Sequence, residues 1–217
     1  VRDRELACAP FDSEEGRRYY AAMACAVNMA FANRQAILHR VREVFSDVFG
    51  RSAEALGMEQ VYDISHNTAK LERHELEGQA TDLLVHRKGA TRAFGPSSEG
   101  LAERYRKTGQ PVILGGSMET GSYLLTGADG AADCFFTTAH GSGRLMSRRQ
   151  AKKRFRGTEL KKKMESRGMV VSAASMSGLA EEAAGAYKDV DEVVAAAEKS
   201  GISRRVVRFE PIGNIKG

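Results

Sequence analysis

The stretch from Glu14 to Phe49 limits the fold more than any other part of the chain. It has no proline, one glycine at Gly16, and apolar residues at helical intervals. Tyr20, Met23, Val27, Phe31, Ile37, Val41, Val44 and Val48 recur mostly at threes and fours, the spacing that gathers side chains on one helical face. Ser13 offers an N-cap oxygen, and Glu14 and Glu15 place negative charge in the first turn, where the helix dipole favours it. The pattern predicts one long amphipathic helix, or two helices broken near Asn33, with Tyr20 and the methionines as packing residues.

Beyond this helix, glycines and polar turns cut the chain into short pieces. MEQVYDIS (58–65) reads as a strand and HNTAKLERHELEG (66–78) as a short helix closed by Gly78. TDLLVHR and ATRAF flank Lys88 and Gly89 as a candidate hairpin. PVILGG (111–116), SYLLTG (122–127), DCFFTT (133–138) and MVVSAA (169–174) read as further strands. In DVDEVVAAAEKS, Asp189 and Glu192 have capping-box spacing and Gly201 closes the helix. RRVVRFEPIG alternates as a last strand stopped by Pro211. With no repeat, low-complexity tract or linker, residues 1–217 are expected to form a single α+β domain: a mixed β-sheet core with a long N-terminal helix and flanking helices.

A chain that is 42% hydrophobic and 28% charged does not have the composition of a disordered segment. Its longest near-apolar run, residues 21–32, contains Asn28 and is too short to span a bilayer, so no membrane segment is expected. Cys8, Cys25 and Cys134 are far apart and form no CxxC pair, which points to a reducing compartment, with the cytoplasm as the expectation. The first residue is Val1 rather than methionine, so an upstream portion is expected. The net charge of +5 and a pI near 9.2 weakly favour an anionic partner.

Among the five histidines, His39 on the long helix and His74 in LERHELE read as structural or solvated. His66 ends the predicted strand beside Asn67 and has either of two roles: metal or phosphate contact, or the cap of the following helix. Spacing alone favours the cap, because no second ligand stands at i+3 or i+4. His86 lies in VHRKGATRAF, where Arg87, Lys88 and Arg92 around a glycine suit either an anion cradle or a solvated hairpin tip.

His140 carries the most chemistry. In DCFFTTAHGSGR it lies between a strand and a basic segment, and Gly141 and Gly143 let backbone approach a ligand. The Walker spacing is absent. Arg144 nearby disfavours protonation, which keeps the imidazole neutral and nucleophilic. Arg148, Arg149, Lys152, Lys153, Arg154 and Arg156 then come before any acid. On a continuous helix, residues 148, 152 and 156 share a face whose mutual repulsion phosphates would relieve. GGSMETGSY (115–123) is a second glycine- and hydroxyl-rich loop; Ser117, Thr120 and Ser122 are donors for phosphate or base, or parts of an ordinary turn.

Taken in order, ANRQ (32–35), YDISHNTAKLE (62–72), VHRKGATRAF (85–94), GQPVILGGSM (109–118), HGSGRLMSR (140–148), AYKDVDEVV (186–194) and PIGNIKG (211–217) resemble the C-terminal portion of the RtcB family of RNA-splicing ligases. The resemblance implies a GTP- and Mn²⁺-dependent ligase. Such an enzyme joins an RNA 2′,3′-cyclic phosphate or 3′-phosphate end to a 5′-hydroxyl end through a GMP-histidine intermediate, in tRNA splicing or RNA repair. It implies that His140 takes the guanylate with Arg144 beside it, that His66 is a manganese ligand and that Asn67 contacts nucleotide phosphates. Ser117, Ser122, Tyr187 and Lys216 fall at positions lining the guanosine nucleotide. RNA, archease, and a missing N-terminal half or second chain that supplies the other metal ligands are the implied partners. Glu119 departs from the family pattern by replacing a glycine, and would crowd or repel phosphate if it pointed into the site. Exposed apolar surface is expected where the other half would pack. The alternative is a non-catalytic RNA-binding remnant without a complete metal site; a guanine-nucleotide-binding structural module is a third reading.

Overall fold

A computed structural model describes residues 2–216, apart from the side chains at positions 5 and 216. The chain forms two compact units, Val1–Lys88 and Gly89–Gly217.

In the first unit the predicted helix is continuous: α1 (Glu14–Phe49) runs through Asn33 without a break. Ser13 Oγ accepts a hydrogen bond from Gly16 N at 3.1 Å, and Gly50 ends the helix in the left-handed conformation, φ 60°. Residues 58–65 are not a strand. Side chains of α1 bond this segment: Arg34 Nε donates to Asp63 at 2.6 Å, Arg42 Nη2 to the Met58 carbonyl at 3.1 Å, and Gln35 Nε2 to Gln60 at 3.0 Å.

The expected helix at 66–78 is instead β1 (Asn67–Leu76), paired antiparallel with β2 (Gln79–Lys88) through Glu77 and Gly78, both at positive φ. Its charges explain the difference. Thr68, Glu72 and His74 fall on one face of β1, and Arg87, opposite Thr68, falls on the same face of β2. There Arg87 donates to both Glu72 carboxylate oxygens at 2.8 Å, and His74 Nε2 lies 3.2 Å from Glu72. The buried ion pair needs a period of two, which a helix cannot supply. The hairpin is therefore β1–β2, and Lys88–Gly89 is not its turn.

In the second unit, β3 (Ala90–Arg92) pairs with β6 (Thr137–Ala139), and β4 (Pro111–Gly115), β5 (Ser122–Gly127) and β8 (Ser203–Phe209) form an antiparallel sheet in the order β4-β5-β8. β7 (Val170–Ala173) runs parallel to β9 (Gly213–Lys216). Helices α2 (Arg148–Arg154), α3 (Gly157–Glu165), α4 (Met176–Glu181) and α5 (Val190–Lys199) flank these small sheets. The class is α+β, as the sequence predicts. Of DCFFTT only the end is strand, because the Phe135 and Phe136 amides bond back to Ala132 and Ala131 and close a 3₁₀ turn. Asp189 caps α5 through the Asp191 amide at 2.8 Å, one residue earlier than a capping box predicts. Leu160, Met164, Val171, Leu179 and Ala183 form the core under α3 and α4.

Exposed apolar surface is found on α1, where Ile37, Val44 and Val48 are 54%, 58% and 70% exposed.

Candidate functional site

The loop between β4 and β5 is fixed by its glycines. Gly116 N donates to Gly121 O at 2.9 Å, and a Cβ on Gly116 would stand 2.4 Å from that same oxygen. Gly121 has φ +83°, and a Cβ there would stand 2.2 Å from Phe209 O, at the end of β8. Within the loop Thr120 Oγ1 accepts from Ser117 N at 2.9 Å and lies 3.0 Å from Ser117 Oγ, so two hydroxyls converge. Ser122 pairs with Gly115 in the β4–β5 register.

Backbone bonds bring His140 to this loop. Gly115 N donates to His140 O at 3.0 Å and Ser142 N donates to Gly115 O at 2.8 Å, so Gly141 lies alongside Gly115. His140 itself is half-buried. The Ser117 loop, leaving β4, and the His140 segment, leaving β6, thus start side by side.

The next residues run against 186–188. Lys188 N donates to Gly143 O at 3.0 Å and Leu145 N to Ala186 O at 2.9 Å, which sets Arg144 opposite Tyr187. The guanidinium carbon lies 4.5 Å from the Tyr187 ring centroid. Arg144 Nη1 donates to the phenol oxygen at 2.6 Å, Nη2 to Glu181 O at 2.6 Å, and Nε to Met146 O at 3.1 Å. The phenol in turn donates to Glu182 in a short hydrogen bond. Burial, and then the Glu182 carboxylate, push the Tyr187 hydroxyl up to about 12. Arg144 is therefore aimed by Tyr187, Glu181 and Met146, and its charge is shared with Glu182, whose carboxylate lies 4.0 Å away.

A groove of about 690 Å³ opens beside Thr120 and Tyr187, with Leu145, Lys188, Asp189 and Glu192 also lining it; His140, Arg144 and Ser117 are not among its lining residues. Its size suits a mononucleotide. Lys188 brings positive charge to it, and Asp189 and Glu192 bring negative charge.

Glu119 turns away from this groove. Its side chain is 4% exposed, with Lys163 Nζ at 2.6 Å, Arg167 at 4.0 Å and the Ala184 amide donating to it at 3.2 Å. The carboxylate ties the loop to α3 instead of crowding it. Lys216 has its backbone opposite Ala173 in the β7–β9 pair, and its side chain lies outside the described residues. Two positions earlier, Asn214 Nδ2 donates to Met118 O at 3.0 Å, tying β9 to the same loop.

His66 and Asn67 belong to the first unit, where they lead into β1, and no helix follows for them to cap. Among the described residues no three His, Cys, Asp or Glu side chains group as a metal would require. The residues present therefore do not fit a complete manganese site. The suggested anion cradle around Gly89 is not formed by Arg87 and Arg92: Arg87 is buried on Glu72, and Arg92 stacks on Phe94 at 4.3 Å.

Glu181, Glu182 and Asn214 were not singled out in the sequence. No basic residue stands between Arg167 and Lys188, so nothing local marks the acids at 181 and 182 as counter-charges for Arg144 and α2.

The family model described as tRNA-splicing ligase RtcB matches residues 1–217. The tRNA-splicing ligase RtcB of Pyrococcus abyssi is 51% identical over 216 residues, 99% of this chain and 24% of that protein. Those of Thermococcus kodakarensis and Archaeoglobus fulgidus are 50% and 51% identical over 216 residues, again 99% of this chain and 45% of each relative. The chain thus spans less than half the length of these relatives. Matched from end to end by the family model, this chain belongs to the tRNA-splicing ligase RtcB family.

Proposed function

We propose that this chain carries the guanylate-accepting part of a GTP-dependent RNA ligase. The ligase joins 2′,3′-cyclic phosphate or 3′-phosphate RNA ends to 5′-hydroxyl ends in tRNA splicing or repair. The observation that carries this reading is the pair of backbone bonds between Gly115 and the His140 segment. They support it by running the backbone at His140 alongside Gly115, two residues before the hydroxyl-bearing Ser117–Thr120 turn.

In this reading GTP supplies an α-phosphate activated by its pyrophosphate leaving group. A neutral ring nitrogen of His140 forms the P–N bond as the bond to pyrophosphate breaks. Ser117 and Ser122 orient the nucleotide, with Tyr187 and Lys216 beside the guanosine and Asn67 on the phosphates. Arg144, held by Tyr187 and the Glu181 carbonyl, offers fixed positive charge to the phosphates without reorganising. The guanylate then activates an RNA 3′-phosphate for attack by the 5′-hydroxyl. His66 stands as a single manganese ligand, whose companions would come from the rest of the family's length. Archease as an activating partner and a cytoplasmic location belong to the same reading.

The test is transfer of label from the α-phosphate of GTP to the full-length ligase carrying this sequence, with Mn²⁺ present. Label on His140 that disappears in His140→Asn is the expected result. Label persisting in that variant, or located on another residue, overturns the assignment. RNA binding without any label would favour the non-catalytic remnant.

A further inference from the structure

Most of the cations that follow the site fall into two sets; of the others, Lys161 lies 3.7 Å from Glu165 and Arg154 lies over Phe155. Arg148 and Lys152 of α2 turn toward α4, where both pair with Glu181 at 3.4 and 2.5 Å. On α3 and just after it, Lys163 and Arg167 turn toward Glu119 at 2.6 and 4.0 Å. These four hold the unit together.

The second set faces the other way. Ala151 is buried and fixes the inward side of α2. Arg149 and Lys153 each lie about 100° further round than the residues that grip Glu181, on the side facing away from Ala151. Leu160 and Met164 fix the inward side of α3, and Lys162 lies roughly opposite both. Arg156 occupies the joint between the helices, because α2 ends at Arg154 and the face shared by 148, 152 and 156 in one continuous helix does not exist. Arg149, Lys153, Arg156 and Lys162 are all exposed, and among the described residues none has a carboxylate within ion-pair reach. Four like charges within fourteen positions of chain, left unneutralised while their neighbours are neutralised by Glu181 and Glu119, do not contribute to the stability of the unit. Charge of this kind suits a partner that brings its own regularly spaced anions.

We propose that the outward faces of α2 and α3, through Arg149, Lys153, Arg156 and Lys162, form a track for the phosphate backbone of single-stranded RNA. The track begins nine residues after His140 in the chain. The proposal rests on the ligase reading for the identity of the strand, and adds where that strand lies. With no aromatic side chain among the four to stack a base, phosphate contacts dominate and sequence preference is expected to be small. Lysine and arginine on exposed helical faces supply affinity that falls as salt rises.

The test compares two quadruple variants of the full-length protein carrying this sequence. One is R149Q/K153Q/R156Q/K162Q. The control, R106Q/K107Q/K199Q/R204Q, removes the same charge from other exposed positions of the second unit. Affinity for a short single-stranded RNA is measured across a salt series without GTP, with circular dichroism confirming the fold. The track variant is expected to bind about tenfold or more weakly at moderate salt, and its log–log salt slope to fall by about 2 to 3. The control should stay near the parent. If the quadruple does not fold, R149Q/K153Q alone should give about half that change in slope. Equal effects in the two quadruples, or none in the track variant, overturn the proposal. Guanylate labelling of His140 is read separately, so a failure of the ligase reading and a failure of the track are distinguishable.

Discussion

The Tyr187 phenol lies between a guanidinium and a carboxylate, and both neighbours leave a mark that can be measured. Its ionisation is raised from 10.0 to about 12, by burial first and Glu182 second. A group whose folded value lies above its unfolded value stabilises the fold fully below the lower value, and that contribution is lost as pH climbs through the higher one. The parent should therefore lose stability between pH 10 and about 12, and Tyr187→Phe should lose less over the same window. Urea melts across that range, together with ultraviolet titration of tyrosinate, check it. At Glu119 the buried carboxylate satisfies the Ala184 amide, while Lys163 can return to water because it is half exposed. Glu119→Ala should cost about 1–3 kcal/mol in a urea melt, chiefly from the amide left unsatisfied. Glu119→Gln, which keeps an acceptor, should cost less.

Among the elements, the β1–β2 hairpin depends most on a single interaction. Arg87 is 3% exposed and doubly bonded to Glu72, which also lies beside His74. Removing the arginine leaves a carboxylate buried beside a histidine. Arg87→Ala should destabilise the chain by about 3–5 kcal/mol, read as a lower denaturant midpoint. The same hairpin shows why local sequence misled. HNTAKLERHELEG has helical propensity in every residue after Thr68 except Gly78 and, weakly, His74, yet the partner of Glu72 lies fifteen residues away on another strand, and no local pattern reveals it. α1 was legible at its ends, because cap, dipole and repeat agree within one segment, whereas its unbroken passage through Asn33 was one of two readings. α2 was legible in its charges but not in its end. Phe155 and Arg156 leave the helical conformation, with Phe155 N still bonded to Ala151 O, so residue 156 starts a new helix. The apolar side of α1 at Ile37, Val44 and Val48 remains in water, and I37E/V44E should reduce self-association of the isolated chain in sedimentation experiments.

Across the molecule, the two units make their own predictions. Amides of β1 and β2 should exchange with solvent as one cooperative group and those of β4, β5 and β8 as another, seen as two protection classes by hydrogen-exchange mass spectrometry. The Ser117–Thr120 loop and the His140 segment each stood out in the sequence by their glycines, but the backbone meeting of Gly115 and Gly141 could not be read from it. Counter-charge could not be read either. Glu181 and Glu182 are neighbours in sequence but serve α2 and Tyr187 respectively, and only the chain path through α4 assigns each its partner. The loop closed at Gly116 and Gly121 also bears on how such a protein can change over generations. With backbone oxygens 2.4 and 2.2 Å from where a methyl group would sit, mutation at either end is purged before it can be tried for new selectivity. Innovation in what this loop accepts must therefore be written in the four positions between them, and a saturation library should recover variants at 117–120 and almost none at 116 or 121.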